Sequence, residues 1–385
     1  MKKIAKLVLA VLLATAGAFA QKRMVHDAEY YILEAQNGTK WAVEDGDIDR
    51  KLKELKKKYK TSPNIIHFMW DDQPVGAVGI PALQKLRGYE TPVLNKMAQE
   101  GILFTRMYTE PGCTPSRAAS LTGQHPIRNG MYTIGFPIEY RGLAKENITI
   151  AEVLSEAGYA TAFYGKLHLG DVEEAYPTNQ GFDEAFWTVY NQVFSLWNPQ
   201  VEAMNGIIGL FDEVLPEDPY QLDNTFVQKG YVGYLEGTKN GLVKEWGAGR
   251  THEDYKKFDK EAKVRALAFI EKNARNQKPF YLAWWPQWVS FIADPEKSSL
   301  QRGIVGDGYE KELDPTMDEL LKKLEELGIS ENTLIVAMAD NGPMTHNPPP
   351  GLGMGEGIFS GGKGDFTEGG VRVCAQAYWP GVIEG

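Results

Sequence analysis

The chain has 385 residues, 43% of them hydrophobic and 24% charged, with a formal net charge of -10. That composition is globular and the length suits one large α/β domain or two ordinary ones. The acidic balance argues against nucleic acid as a partner, because holding phosphates takes a local excess of Lys and Arg.

The first twenty residues differ from the rest. Lys2, Lys3 and Lys6 give a basic start, Leu7 to Leu13 an apolar run, and Ala18-Phe19-Ala20 a small-residue cleavage site. This pattern predicts a secretory signal peptide over 1–20, with Gln21 as the mature N-terminus and an exported, periplasmic or secreted product. The run is short of the ~20 residues of a membrane span, and no later segment is apolar enough, so no membrane span is expected after signal removal. Residues 21–62 read as an N-terminal extension, in which Ile48, Leu52 and Leu55 give Asp47–Tyr59 a helical period and a basic outer face.

From residue 63 onward apolar strands and amphipathic helices alternate. Asn64–Trp70 reads as a buried strand that ends abruptly in Asp71-Asp72. Thr91–Gly101 reads as a helix with Pro in its first turn and Gly at its end, followed by a strand from Gly101 to Thr105. Further helix–strand pairs are predicted at 150–158 and 159–164, at 258–273 and 279–285, and at 316–327 and 333–338. The stretch from about 190 to 255 shows no clear period and reads as insertions or loops. The alternation predicts a large mixed, mainly parallel sheet with helices on both faces. In such sheets ligands bind beyond the carboxyl ends of the strands. The polar residues that directly follow strands are Asp71-Asp72, Lys166 and His168, and Asp340-Asn341. All are expected along one sheet edge.

Three carboxylates and an amide oxygen in Asp71, Asp72, Asp340 and Asn341 suit a hard cation, Ca²⁺ or Mg²⁺, although either pair alone would more often be a turn or helix cap. Only two cysteines occur, Cys113 and Cys374. In an oxidising compartment the plain expectation for such a pair is a disulfide. Lys166 alone would more often be a surface lysine and His168 a core histidine, but their spacing places both side chains on one side of a strand.

The segment Cys113-Thr114-Pro115-Ser116-Arg117, with Leu121-Thr122-Gly123 behind it, resembles the signature of the sulfatase family, within the alkaline phosphatase superfamily. Asn64–Asp72, Tyr164–Gly170, Ala339–Gly342, and Gly361–Gly364 with Glu368–Val373 are similar to further elements of that family, over nearly all of 63–384. The resemblance implies that Cys113 is oxidised to formylglycine by a formylglycine-generating enzyme, and that its hydrate attacks the sulfur of a sulfate ester. It implies Ca²⁺, with Mg²⁺ as the alternative, on Asp71, Asp72, Asp340, Asn341 and an oxygen of residue 113. Arg117 would hold the diol, Lys166 and Lys363 would contact sulfate, Lys363 would also reach the leaving oxygen, and His168 would support formylglycine. Gly357–Lys363 also fits the start of a phosphate-binding loop, but Gly364 stands where Ser or Thr should hold magnesium.

Two departures stand out. Gln287 occupies the place where the family carries a further catalytic His; glutamine can hydrogen-bond sulfate but cannot act as a general acid. Lys363 alone or His346 would then protonate the leaving group. The family's smaller C-terminal subdomain would begin where this chain ends, so 63–385 reads as a catalytic domain lacking that part. Trp284 and Trp285 read either as a subsite for an aromatic or sugar group or as buried packing. The expected substrate is an aryl sulfate or a sulfated sugar. The acidic composition disfavours highly sulfated polymers unless basic residues gather at a cleft. A phosphonate or phosphate ester hydrolase, and a non-catalytic sulfated-glycan-binding protein, are the alternatives.

Overall fold

A computed structural model of the chain describes residues 28–135, 139–190, 233–248, 252–287, 308–343 and 357–383. Two compact units are present, Met1–Lys53 and Glu54–Gly385. Helix α1 (Ala28–Tyr59) begins in the first and ends in the second. It starts well before the predicted Asp47 and runs through Gly38 and Gly46, each of which costs a helix only about 1 kcal/mol.

The second unit is built on one nine-stranded sheet. Its strands in chain order are β1 (Asn64–Trp70), β2 (Ile102–Tyr108), β3 (Ala160–Lys166), β4 (Glu184–Thr188), β5 (Gly233–Thr238), β6 (Lys244–Ala248), β7 (Phe280–Trp285), β8 (Thr333–Ala339) and β9 (Arg372–Tyr378). Across the sheet they are ordered β2-β9-β8-β1-β7-β3-β4-β5-β6. The central five, β8, β1, β7, β3 and β4, are mutually parallel, and antiparallel pairs flank them on both sides. Strands buried on both faces need continuous apolar runs. Phe280–Trp285 is such a run, with every residue buried.

The helices are α2 (Pro81–Arg87), α3 (Pro92–Glu100), α4 (Cys113–Thr122), α5 (Pro126–Asn129), α6 (Ile150–Glu156), α7 (His252–Arg275), α8 (Asp314–Glu326) and α9 (Glu368–Val371). Two apolar clusters lie on opposite faces of the sheet. One contains Ile66, Phe68, Trp70, Leu282 and Trp284 with Ala262, Ala266 and Ile270 of α7 and Leu320 and Leu324 of α8. The other contains Met69, Phe163, Tyr281 and Trp285 with Ala118 and Leu121 of α4 and Ala151 of α6. The period-2 alternation of strand side chains sends Trp284 and Trp285 to opposite faces. Both are buried, so they are packing residues and not the walls of an aromatic subsite.

The expected strands and helices after residue 63 are present within a few residues of their predicted ends. The segment 190–255 differs in part. Residues 191–232 lie outside the described residues, but 233–248 form the β5–β6 hairpin, which closes one end of the sheet. Strand β4 is a further element that the periodicity does not announce.

The parallel order brings the carboxyl ends of β8, β1, β7 and β3 side by side, with Asp340, Asp71, Gln287 and Lys166 at or just beyond them. Register tightens this: Trp70 pairs with Ala339, Phe68 with Trp284 and Gly165 with Trp285. Gly165, paired with Trp285, sits where β3 and β7 leave no room for a side chain. Its φ of 122° lies outside the range of L side chains, and a Cβ there would fall on the Trp285 carbonyl oxygen. Gly165→Ala is expected to lower the unfolding free energy by about 3 kcal/mol or more. Denaturant unfolding followed by tryptophan fluorescence checks this; an unchanged midpoint would contradict it.

Candidate active site

The Cys-x-Pro-x-Arg spacing is a helical one. Cys113 is the first residue of α4, with Gly112 at the N-cap and Pro115 in the first turn, where its missing N–H costs nothing. Residues four apart share a helix face, so Arg117 comes up beside Cys113 towards the strand ends. Gly123 closes the helix in a left-handed conformation, φ 63°.

Arg117 is fully buried and joins three elements. Its guanidinium pairs with Asp71 Oδ1, and its Nε and Nη2 lie 3.0 and 2.9 Å from Asp340 Oδ2. Its Nη1 donates to the carbonyl oxygen of Lys166 at 2.8 Å, and its plane lies over the Trp285 ring, 5.2 Å to the centroid. Lys166 Nζ donates to Asp71 Oδ2 at 2.7 Å. Lys363 Nζ is 2.8 and 2.9 Å from the Asp72 oxygens and 2.9 Å from Cys113 Sγ. The Asp72 N–H donates to Asp340 Oδ1 at 2.9 Å, and Asn341 Nδ2 donates to Asp72 Oδ1 at 2.8 Å. Three cations thus face three carboxylates in a buried, charge-balanced array around residue 113.

The chain pays for this geometry in backbone strain. Asp72 and His168 both have left-handed φ, 55° and 58°, at the turns leaving β1 and β3. His168 Nε2 donates to the Gly135 carbonyl oxygen at 3.0 Å, which fixes the proton on Nε2. Its Nδ1 is then an acceptor, buried without a hydrogen-bond partner among the described residues. Burial, with Lys166 as the leading neighbouring cation, holds His168 well below the usual histidine range, so the ring is neutral at neutral pH.

Burial pushes Asp71 up to about 6 against the pull of Lys166. Burial opposes the charge on Asp340 as well, but Arg117, Lys166 and Lys363 hold it well below the ordinary carboxyl range. Both are carboxylates at neutral pH. Burial disfavours the Lys363 ammonium, and Asp72 more than restores it. The Cys113 thiol is pushed up to about 12 by burial and then by Asp340. An un-ionised thiol is a poor nucleophile.

The donor set fits a hard divalent cation. Asp71, Cys113 and Asp340 each present a ligand atom within 4.8 Å of the others, all buried. Asn341 Oδ1 is buried with no hydrogen-bond partner among the described residues, as expected of an oxygen meant for a metal. A divalent ion would turn the balanced array positive, which suits an anionic substrate.

Of the residues singled out from sequence, Asp71, Asp72, Cys113, Arg117, Lys166, Asp340, Asn341 and Lys363 are brought together, with His168 beside them. Gln287 is buried two residues beyond β7, on the same edge, and its backbone N–H donates to Asp259 Oδ1 at 3.4 Å. His346 lies outside the described residues. Cys113 and Cys374 are both free, so the plain disulfide expectation fails: Cys374 sits within β9, in the core. Around Lys363 no strand-to-helix phosphate loop forms, since α9 has only four residues and begins at Glu368.

The sulfatase family model matches residues 63–287. The chain belongs to the sulfatase family. It is 34% identical over 334 residues to N-acetylgalactosamine-6-sulfatase of Canis lupus familiaris, covering 83% of this chain and 58% of that protein. It is 33% identical over 333 residues to arylsulfatase A of Homo sapiens, covering 83% of this chain and 60% of that one. The chain therefore spans somewhat more than half the length of these relatives. Among solved structures, the PsFucS1 sulfatase from Pseudoalteromonas sp. superposes with a TM-score of 0.74 at 29% identity, over 89% of this chain and 67% of that one.

Two outcomes follow for this sulfatase-family chain. In unconverted protein a thiol reagent such as dithionitrobenzoate is expected to label neither cysteine while the fold is intact and both after unfolding; rapid native labelling of Cys113 would contradict its burial. Arg117→Met leaves Asp71 and Asp340 without their shared cation and is expected to destabilise by about 3–5 kcal/mol, read from denaturant midpoints.

Proposed function

We propose that this chain hydrolyses sulfate esters with a formylglycine made from Cys113, aided by a bound Ca²⁺ or Mg²⁺. The observation that carries the reading is the placement of residue 113. It sits buried at the centre of an array of cations, carboxylates and an orphan amide oxygen, as a thiol too basic to act itself. Such an investment around an inert thiol makes chemical sense if the thiol is a precursor. In the structure Sγ stands in for the oxygen of the converted residue.

Formylglycine supplies a hydrated aldehyde, with one hydroxyl to attack sulfur and a second whose deprotonation expels sulfate. A cation on Asp71, Asp72, Asp340 and Asn341 supplies further positive charge at the reacting group. Arg117, Lys166 and Lys363 surround residue 113 and stabilise charge on sulfate oxygens. Lys363 Nζ, 2.9 Å from Cys113 Sγ, is the ammonium placed to give a proton to the leaving oxygen. His168, its Nε2 proton held by Gly135, offers Nδ1 as the base for the remaining hydroxyl. Gln287 binds sulfate without donating a proton, which favours leaving groups that need little protonation, such as phenols.

The relatives named for N-acetylgalactosamine 6-sulfate and for aryl sulfates support an aryl sulfate or sulfated sugar as substrate. The same reading takes 1–20 as a signal peptide, 21–62 as an extension and 63–385 as catalytic domain, in an exported protein. Among the described residues no helix is long and apolar enough to cross a membrane.

Turnover of 4-nitrophenyl sulfate by the converted protein is the test. It is expected to exceed turnover of an aryl phosphonate ester, to fall at least about a hundredfold in Cys113→Ala, and to be lost on chelation and regained with Ca²⁺. Preference for the phosphonate would make the chain a phosphonate hydrolase. Binding of the sulfate ester without turnover at full conversion would make it a binding protein.

A further inference from the structure

Asp259 has no place in the mechanism above, yet it accepts the Gln287 backbone N–H. It lies on α7, on the face whose other members, Ala262, Ala266 and Ile270, are apolar and buried. A carboxyl in such a stripe loses its hydration and contributes nothing to packing. Its Oδ1 accepts the Gln287 backbone N–H at 3.4 Å, and its Oδ2 is buried with no hydrogen-bond partner among the described residues. No lysine or arginine pairs with it among those residues. Among the described residues the charges that act on it are those of Glu312, from the π-helical turn Tyr309–Leu313, and of Asp71 at the end of β1, both acids. Burial first, and then these neighbours, hold Asp259 well above the ordinary carboxyl range.

Its partner occupies a central place. Strand β7 lies between β1 and β3, and the pairing of Phe68 with Trp284 and of Gly165 with Trp285 sets Gln287 on the edge between Asp71 and Lys166. We propose that Asp259 is a positioning residue for the sulfate site, a buried acid that anchors the chain leaving β7 through the Gln287 N–H and so presents Gln287 to the sulfate group. Burial that favours the neutral form matters here. A charged one would set a carboxylate behind the very group that must receive an anion, and a lysine or arginine would be drawn off by Asp71.

The inference rests on the sulfatase reading, and its test separates the two. The probe is 4-nitrophenyl sulfate with the full chain converted at residue 113. No turnover by the wild type takes down both readings; with turnover established, the remaining outcomes bear on Asp259 alone. Gln287→Ala and Asp259→Leu are each expected to raise KM about tenfold with kcat changed much less. Asp259→Asn keeps a neutral acceptor and is expected to stay within about threefold of wild-type KM. The double variant Asp259→Leu/Gln287→Ala is expected to be no worse than Gln287→Ala, since one residue acts through the other. Additive losses, or a stably folded Asp259→Leu with wild-type KM, overturn the proposal. If Asp259→Leu does not fold, the Asn variant decides through pH: wild-type KM rises with pH as Asp259 ionises, and the variant lacks that rise. Identical pH profiles overturn it.

Discussion

Everything at the strand ends depends on one buried guanidinium. Arg117 is held by Asp71 on one side, by Asp340 on the other and by the Lys166 carbonyl, so it ties α4 to the exits of β1, β8 and β3 at once. Taking one charge out of water costs several kcal/mol, and the array survives because each ion finds an opposite charge and further hydrogen bonds. Arginine suits this post better than lysine. It stays charged under any accessible condition, presents a planar fork to two carboxylates and lies over the Trp285 ring.

The array also explains the position of residue 113. Because Arg117 is fixed, the residue one helical turn before it is fixed too, at the amino end of α4 and against Lys363. Lys363 comes from a distant stretch of chain and is anchored by Asp72, which takes a left-handed conformation at the end of β1. Under the proposed function, a residue 113 placed by a helix, a strand exit and a loop that each have independent reasons for their position would need little reorganisation to act.

Much of this was legible in the sequence, and for physical reasons. Asn64–Trp70 and Pro279–Trp285 are apolar runs that stop at polar residues, which is how a parallel strand ending at a ligand edge must read. The polar residues at three such stops do meet. Less was legible where local pattern and tertiary role diverge. Helix α4 hides its helicity because Cys113-Thr114-Pro115 reads as a loop, although Gly112 before it and Gly123 after it mark both ends. The β5–β6 hairpin escapes because its residues alternate polar and apolar only briefly, and its partner β4 defines it more than its own sequence does. The two tryptophans of β7 could not be assigned to a subsite or to packing until the sheet placed them between layers. Asp259 does not stand out in the sequence because its helix reads as a whole; the one signal is an acid inside the stripe of Ala262, Ala266 and Ile270.

The central claim is that residue 113 is a precursor to the nucleophile and not a structural thiol. Mass spectrometry of the peptide containing residue 113, on protein produced with a formylglycine-generating enzyme, tests it most directly. An aldehyde, with the hydrate alongside, is expected in place of the thiol. An unmodified thiol throughout, or a disulfide joining Cys113 to Cys374, would contradict it.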